Sequence, residues 1–199
     1  MASRAERYLS HLDGLAGEKE PDFYKLDSTK DDPEGMTALV YRDLPEPGHL
    51  TGLTYGLSLG EHPDWQHGKP ELCICVQSDD VAWPLAMAYL AESLRGDCPF
   101  DYGSTIAFGE RVSEESAMTS FVIFAPVVLD REDYLNINLG GGAADNGRAN
   151  GHGGPGDIVN IAGCYPIHDV ELQYIQDNGL EAFWELDWDP YDVTRPPAV

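Results

Sequence analysis

Basic side chains are scarce in this chain. Twelve Lys and Arg face 35 Asp and Glu, which leaves a formal charge of −23 at pH 7 over 199 residues. The deficit deepens along the sequence: six bases accompany eleven acids up to Glu46, and six accompany 24 from Pro47 onward. Between His168 and Asp192 eight acids stand without a single Lys or Arg. Such a surface repels nucleic acid and anionic lipid and steers basic proteins toward it. Cysteine is scarce as well. Cys73, Cys75, Cys98 and Cys164 form no CxxC pair and no disulfide-framework spacing, which argues for buried free thiols in a reducing compartment. Long apolar runs are missing: none approaches the ~20 residues of a membrane-spanning helix. The first sixteen residues have charges threaded through them and no secretory pattern. A cytoplasmic location is expected.

Motifs that carry chemistry are missing too. The glycine-rich stretch 139–156 contains no Lys and no G-x4-G-K-[ST] form, so it reads as a flexible loop between strands and not as a phosphate cradle. Ser104, Ser113, Ser116 and Ser120 lack the G-x-S-x-G elbow. His62 and His67, near Glu61 and Asp64, match no zinc spacing. Cys164 and His168 have no third group to orient them. Paired carboxylates abound, and in so acidic a chain their abundance diagnoses nothing. The expectation is a non-enzymatic protein with no catalytic residue, cofactor or metal ligand.

What the chain has is material for a core: 42% of its residues are hydrophobic. Ala5, Tyr8, Leu9, Leu12, Leu15 and Ala16 recur at i, i+3, i+4 and i+7, with Gly17 behind them, so an amphipathic helix is predicted over 2–16. Strands are predicted at 22–26 and 37–42. At 51–59, Leu53, Tyr55, Leu57 and Leu59 alternate with small residues, which predicts a strand packed on one face and closely approached on the other. The continuous apolar run at 71–77 suits a central strand covered on both faces. Ser78, Asp79 and Asp80 offer cap chemistry to a helix carrying Pro84, Met87, Leu90, Ala91 and Leu94. Further strands are predicted at 105–108, 119–129 and 157–167. A helix follows at 168–178, with Asp169 and Glu171 at its N-terminus and Gly179 after it, and then a shorter apolar turn at 180–186. The sum is α+β: a mixed, mostly antiparallel sheet with flanking helices, in one domain spanning 1–199.

One stretch combines aromatic rings with carboxylates: Trp184, Asp187, Trp188, Asp189, Tyr191 and Asp192. Aromatic anchors beside acids suit an interface for a basic protein, and Asp79 and Asp80 offer a second acidic point. The competing reading places both Trp rings in the core and leaves the acids merely solvated.

Four sequence pieces resemble the suppressor of fused family. They are Thr54-Tyr55-Gly56-Leu57-Ser58; Pro70-Glu71-Leu72-Cys73-Ile74 followed by Trp83-Pro84; Pro166-Ile167-His168-Asp169-Val170-Glu171-Leu172 with Gly179-Leu180-Glu181; and Asp192-Val193-Thr194-Arg195-Pro196. The resemblance runs from about Met36 to Val199 and is closest to the stand-alone bacterial members, because the chain is too short for the extra C-terminal domain of the eukaryotic ones. It implies a single suppressor-of-fused-like domain that binds proteins. Bacterial relatives imply an immunity protein that binds and neutralises a basic, nuclease-type toxin domain of a polymorphic toxin system. Eukaryotic relatives imply the alternative, a regulatory adaptor that holds a peptide as an added strand.

Overall fold

The computed structural model describes residues 2–17, 19–30, 34–140 and 157–199. Residues 31–33 and nearly all of the glycine-rich loop expected at 139–156 lie outside the described residues.

The chain opens with helix α1 (Arg4–Ala16), whose N-terminus is a capping box: Ser3 and Glu6 bond each other's backbone N–H. Four strands follow as an antiparallel meander: β1 (Asp22–Leu26), β2 (Met36–Arg42), β3 (Leu50–Tyr55) and β4 (Lys69–Val76). Helix α2 (Ala82–Ser93) leads to β5 (Thr105–Ala107) and β6 (Ser120–Phe124). A single turn, α3 (Arg131–Tyr134), and the short β7 (Ile137–Asn138) precede the long strand β8 (Ile158–Ile167). Helices α4 (Asp169–Asn178) and α5 (Leu180–Trp184) come last.

The strands make one sheet in the order β1-β2-β3-β4-β8-β6-β5, with β7 pairing β8 beside that path. Every pairing is antiparallel except the central one, where β4 and β8 run parallel, Cys73 opposite Gly163. The sheet is covered on both faces. Ala38, Val40, Leu72, Ile74 and Val76 point to the α2 side with Trp83 and Met87. Leu39, Tyr41, Leu53, Cys73, Val159 and Ile161 point to the α1 side with Tyr8 and Leu12. Farther along that second face, Tyr165 and Ile167 meet Ile175 of α4 and Phe183 of α5. Covering on both faces is why β4 reads as a continuous apolar run instead of an alternating one.

Two expected strands are shorter in the structure. The strand expected at 51–59 ends at Tyr55; Gly56 turns at φ 134°, and Leu57–Leu59 form a 3₁₀ turn. The turn is made by a carboxylate from the next strand, described below. The small-residue side of β3 does receive a close neighbour: a Cβ on Gly52 would sit 2.4 Å from Cβ of Pro84. The strand expected at 119–129 stops at Phe124. There the Tyr165 hydroxyl donates to the carbonyl of Ala125 (2.7 Å) and accepts the N–H of Val127 (2.8 Å), which fixes the bend around Pro126.

Candidate functional site

Buried charge in this fold is structural before it is functional. Glu71, on β4, is fully buried, and its carboxylate accepts four hydrogen bonds: from the Thr54 hydroxyl (2.7 Å), the Gly56 and Ser58 N–H groups (3.0 and 3.1 Å) and the Ser58 hydroxyl (2.5 Å). Those bonds bend the chain after β3 into its 3₁₀ turn. Desolvation raises the Glu71 pKa above its usual 4.5, and the four bonds counter it. Glu171, on α4, is equally buried. It binds the Arg195 guanidinium with both oxygens (2.5 and 3.0 Å), takes the N–H of Ala198 (2.8 Å) and caps its own helix through the N–H of His168 (2.8 Å). The helix-capping role expected for Glu171 is therefore half of what it does; it also anchors the C-terminal tail. A second buried pair, Glu92–Arg95 at 3.0 Å, lies at the end of α2. From there Arg95 reaches the carbonyls of Glu34 and Gly56.

The open acidic site lies where β4 ends. Gln77, Ser78, Asp79 and Asp80 leave the strand beside the β2–β3 turn, which brings Glu46, Pro47, Gly48 and His49, and beside Glu115. Together these residues line an open groove of about 700 Å³. Among the described residues that line it, four of the nine are carboxylates and none is Lys or Arg. The turn is held by Asp43, which accepts the Gly48 N–H at 2.9 Å, and by the His49 N–H on the carbonyl of Glu46 at 3.1 Å. Two of the acids are committed locally. Asp80 takes the Ala82 N–H (2.9 Å) and the Ser113 hydroxyl (2.5 Å); Glu115 takes the Ser78 hydroxyl and the Trp83 indole N–H (2.9 Å). Asp79 is exposed, and Glu46 stands 3.9 Å from the buried His49 ring and is itself open to solvent.

The tail crosses this end of the sheet. The Gln77 N–H donates to the carbonyl of Tyr191 (2.8 Å), and the Tyr191 ring stands edge-on to His49 with centroids 5.5 Å apart. Among the residues expected from sequence, the fold therefore brings Asp79, Asp80 and Tyr191 together. Burial raises the Tyr191 hydroxyl pKa, and nearby Asp189 and Glu46 add to the effect. Asp192 faces its own chain, accepting the Thr194 hydroxyl (2.7 Å) and N–H (2.8 Å), and these bonds lower its pKa. Asp189 accepts the Tyr191 N–H (2.9 Å), and Asp187 is exposed. Trp184 and Trp188 are half-buried in an aromatic cluster. Trp184 packs on Phe124 (4.5 Å) and Tyr165 (5.1 Å), and Trp188 packs on Phe183 (4.8 Å) beneath the Arg195 guanidinium (4.7 Å). Glu46, His49 and Glu115 escaped the sequence reading because they come from two separate loops; only the acidity of the stretch around Glu46 hinted at them.

Among the described residues no group of three or more His, Cys, Asp or Glu is arranged to hold a metal ion. The four cysteines are free, and burial pushes their thiols up, Cys75 to about 11 and Cys73 well above its usual value. His168 is spent on the tail, its Nε2 lying 2.9 Å from the carbonyl of Arg195. No helix among the described residues is long and apolar enough to cross a membrane.

The sequence profile of the family described as Suppressor of fused protein (SUFU) matches residues 32–196. The chain belongs to the suppressor of fused family. Solved structures of suppressor of fused proteins share the fold. The crystal structure of a SUFU homolog from Neisseria gonorrhoeae superposes with a TM-score of 0.66 at 19% identity, covering 97% of this chain and 95% of that one. The Sufu–Fu complex gives a TM-score of 0.64 at 11% identity over 96% of this chain and 90% of that one. Drosophila Suppressor of Fused gives 0.54 at 11% identity, covering 96% of this chain and 50% of that one. A search among curated proteins gave no match. The four sequence pieces that resemble the suppressor of fused family fall on the two buried carboxylates: Thr54 to Ser58 bond Glu71 of the second piece, and Glu171 of the third binds Arg195 of the fourth.

Proposed function

We propose that this chain is a non-catalytic protein-binding domain, an immunity-type inhibitor that binds and neutralises the basic toxin domain of a polymorphic toxin system, a nuclease being the partner its charge suits best. One observation carries the reading: a groove with four carboxylates and no Lys or Arg among the described residues that line it, on a chain with net charge −23. Tyr191 joins that groove to the tail, so the proposed interface runs from Asp79 and Asp80 to Trp184, Asp187, Trp188, Asp189, Tyr191 and Asp192. A surface of this sign steers a basic protein into encounter and competes for the patch that would hold nucleic acid. The reading places the chain in the cytoplasm, where its four thiols stay reduced. The deciding experiment is co-expression with the product of the adjacent gene. Rescue of growth and purification of a 1:1 complex are expected, and a non-toxic neighbour that forms no complex ends the proposal. Within a complex, Asp79→Lys with Glu46→Lys should slow association roughly tenfold or more at low salt. An unchanged on-rate would move the interface elsewhere.

A second reading, a peptide-binding adaptor acting by strand addition, is favoured by β1. Among the described residues it is an edge strand of the sheet, and Phe23 on it is 54% exposed. The other edge, β5, has three residues and lies against α4, where Gln176 approaches Thr105 at 3.4 Å. One matched structure is of a Sufu–Fu complex, so this fold carries protein partners in at least that case. Peptide binding that ignores salt and is lost when Tyr24 is replaced by proline would select this reading over the first.

A further inference from the structure

A second concave site lies at the opposite end of the central strands, where β4 and β8 begin. Its volume is about 440 Å³. Trp65, Phe100, Tyr102 and Tyr134 supply aromatic walls, and Asp64 and Asp101 supply carboxylates. The cavity is built, not incidental. The Trp65 indole N–H donates to the carbonyl of Pro99 at 2.9 Å, which sets the ring. Asn160 of β8 accepts the Asn136 N–H (2.8 Å) and donates to the carbonyl of His67 (3.3 Å), so one side chain ties two of the lining loops together. Phe100, in the lining, holds a positive φ of 54°, a conformation uncommon for a bulky residue. Tyr102 is 49% exposed, and its ring meets Phe124 at 5.3 Å. Arg131 is the only Lys or Arg among the described residues that line it.

We propose that this cavity receives a monovalent organic cation, the guanidinium or ammonium of an Arg or Lys side chain presented by the basic partner. The inference rests on the reading of the chain as a binder of a basic protein. Its chemistry is local. Aromatic faces present negative charge density to a cation, and Asp64 and Asp101 are among the residues that line the cavity. The excess of acids over the whole molecule favours the approach of a cation over that of an anion. A neutral apolar ligand would desolvate both carboxylates with nothing in return. Arg131, exposed on the rim, opposes the cation and supplies the sign test.

The experiment is an NMR titration of the ¹⁵N-labelled protein with N-acetylarginine amide, and with N-acetylcitrulline amide as its uncharged isostere. The arginine probe should shift the Trp65 indole N–H signal, and the citrulline probe should bind at least tenfold more weakly. Asp101→Asn should weaken the arginine probe at least threefold, and Arg131→Gln should strengthen it, with the remaining spectrum unchanged in both. Equal binding of citrulline, or weakening by Arg131→Gln, would overturn the proposal. Shifts confined to Gly48 and Gln77 would also overturn it, while leaving the acidic-groove reading intact. Failure of the toxin co-expression with the Trp65 shift retained would instead sink the partner and keep the cation site.

Discussion

At the scale of single residues, two carboxylates decide how much of this fold holds together. Removing one partner of the buried Glu171–Arg195 pair leaves an uncompensated buried charge, which costs about 3–5 kcal/mol. Arg195→Met should therefore lower stability by about that amount in urea unfolding, with the tail released from α4. The double variant Glu171→Leu with Arg195→Met should recover part of the loss, because no charge is left stranded. Glu71 makes a different prediction, one about pH. Its folded pKa is raised above 4.5, so the folded state keeps the proton longer than the unfolded chain does. Its contribution is fully present below pH 4.5 and is lost as pH rises through the higher folded value. Glu71→Gln should remove that decline, making stability above pH 4.5 less dependent on pH than in the wild type. An identical slope in both proteins would mean Glu71 titrates as it does in the unfolded chain.

At the scale of elements, two glycines that look alike in sequence should behave in opposite ways. Gly14 sits inside α1 with nothing within 4 Å of a would-be Cβ, so Gly14→Ala should stabilise by about 0.5–1 kcal/mol. Gly52 sits where Pro84 of α2 crosses β3, and Gly52→Ala should destabilise by about 1–3 kcal/mol, since backbone or helix must shift. Thermal unfolding of the pair reads both signs. The same contrast explains what the sequence discloses. The period of α1, the covered run of β4 and the capped start of α4 are local signals, and they appear at 4–16, 69–76 and 169–178. The end of β3 is not local. Alternation of Leu57 and Leu59 with small residues continued the strand on paper, whereas a carboxylate from β4 bends the chain at Gly56. The acidic groove was half legible: Asp79, Asp80 and Tyr191 stood out as types, while Glu46, His49 and Glu115 join them only through the tertiary fold. Trp184 and Trp188 were ambiguous because an aromatic beside an acid looks the same whether the ring packs inward or outward.

At the scale of the whole molecule, net charge makes two predictions of opposite sense. Self-repulsion among the excess carboxylates opposes compaction, so raising NaCl from about 10 to 300 mM should raise the melting temperature. The same salt should slow association with a basic partner, because steering is screened beyond roughly 10 Å at 0.1 M. A complex whose on-rate ignores salt would not be held by the acidic face. The order of strands has a consequence of another kind. Strands β1 to β4 pair with their neighbours in sequence, but β4 receives its parallel partner only when Val159 arrives opposite Lys69. Closing so long a loop is slow, and until it closes β4 is an exposed apolar edge. A nascent chain must therefore wait for its last quarter before the middle of its sheet can be sealed. Interruption before β8 leaves a fragment primed to aggregate instead of a smaller version of the domain.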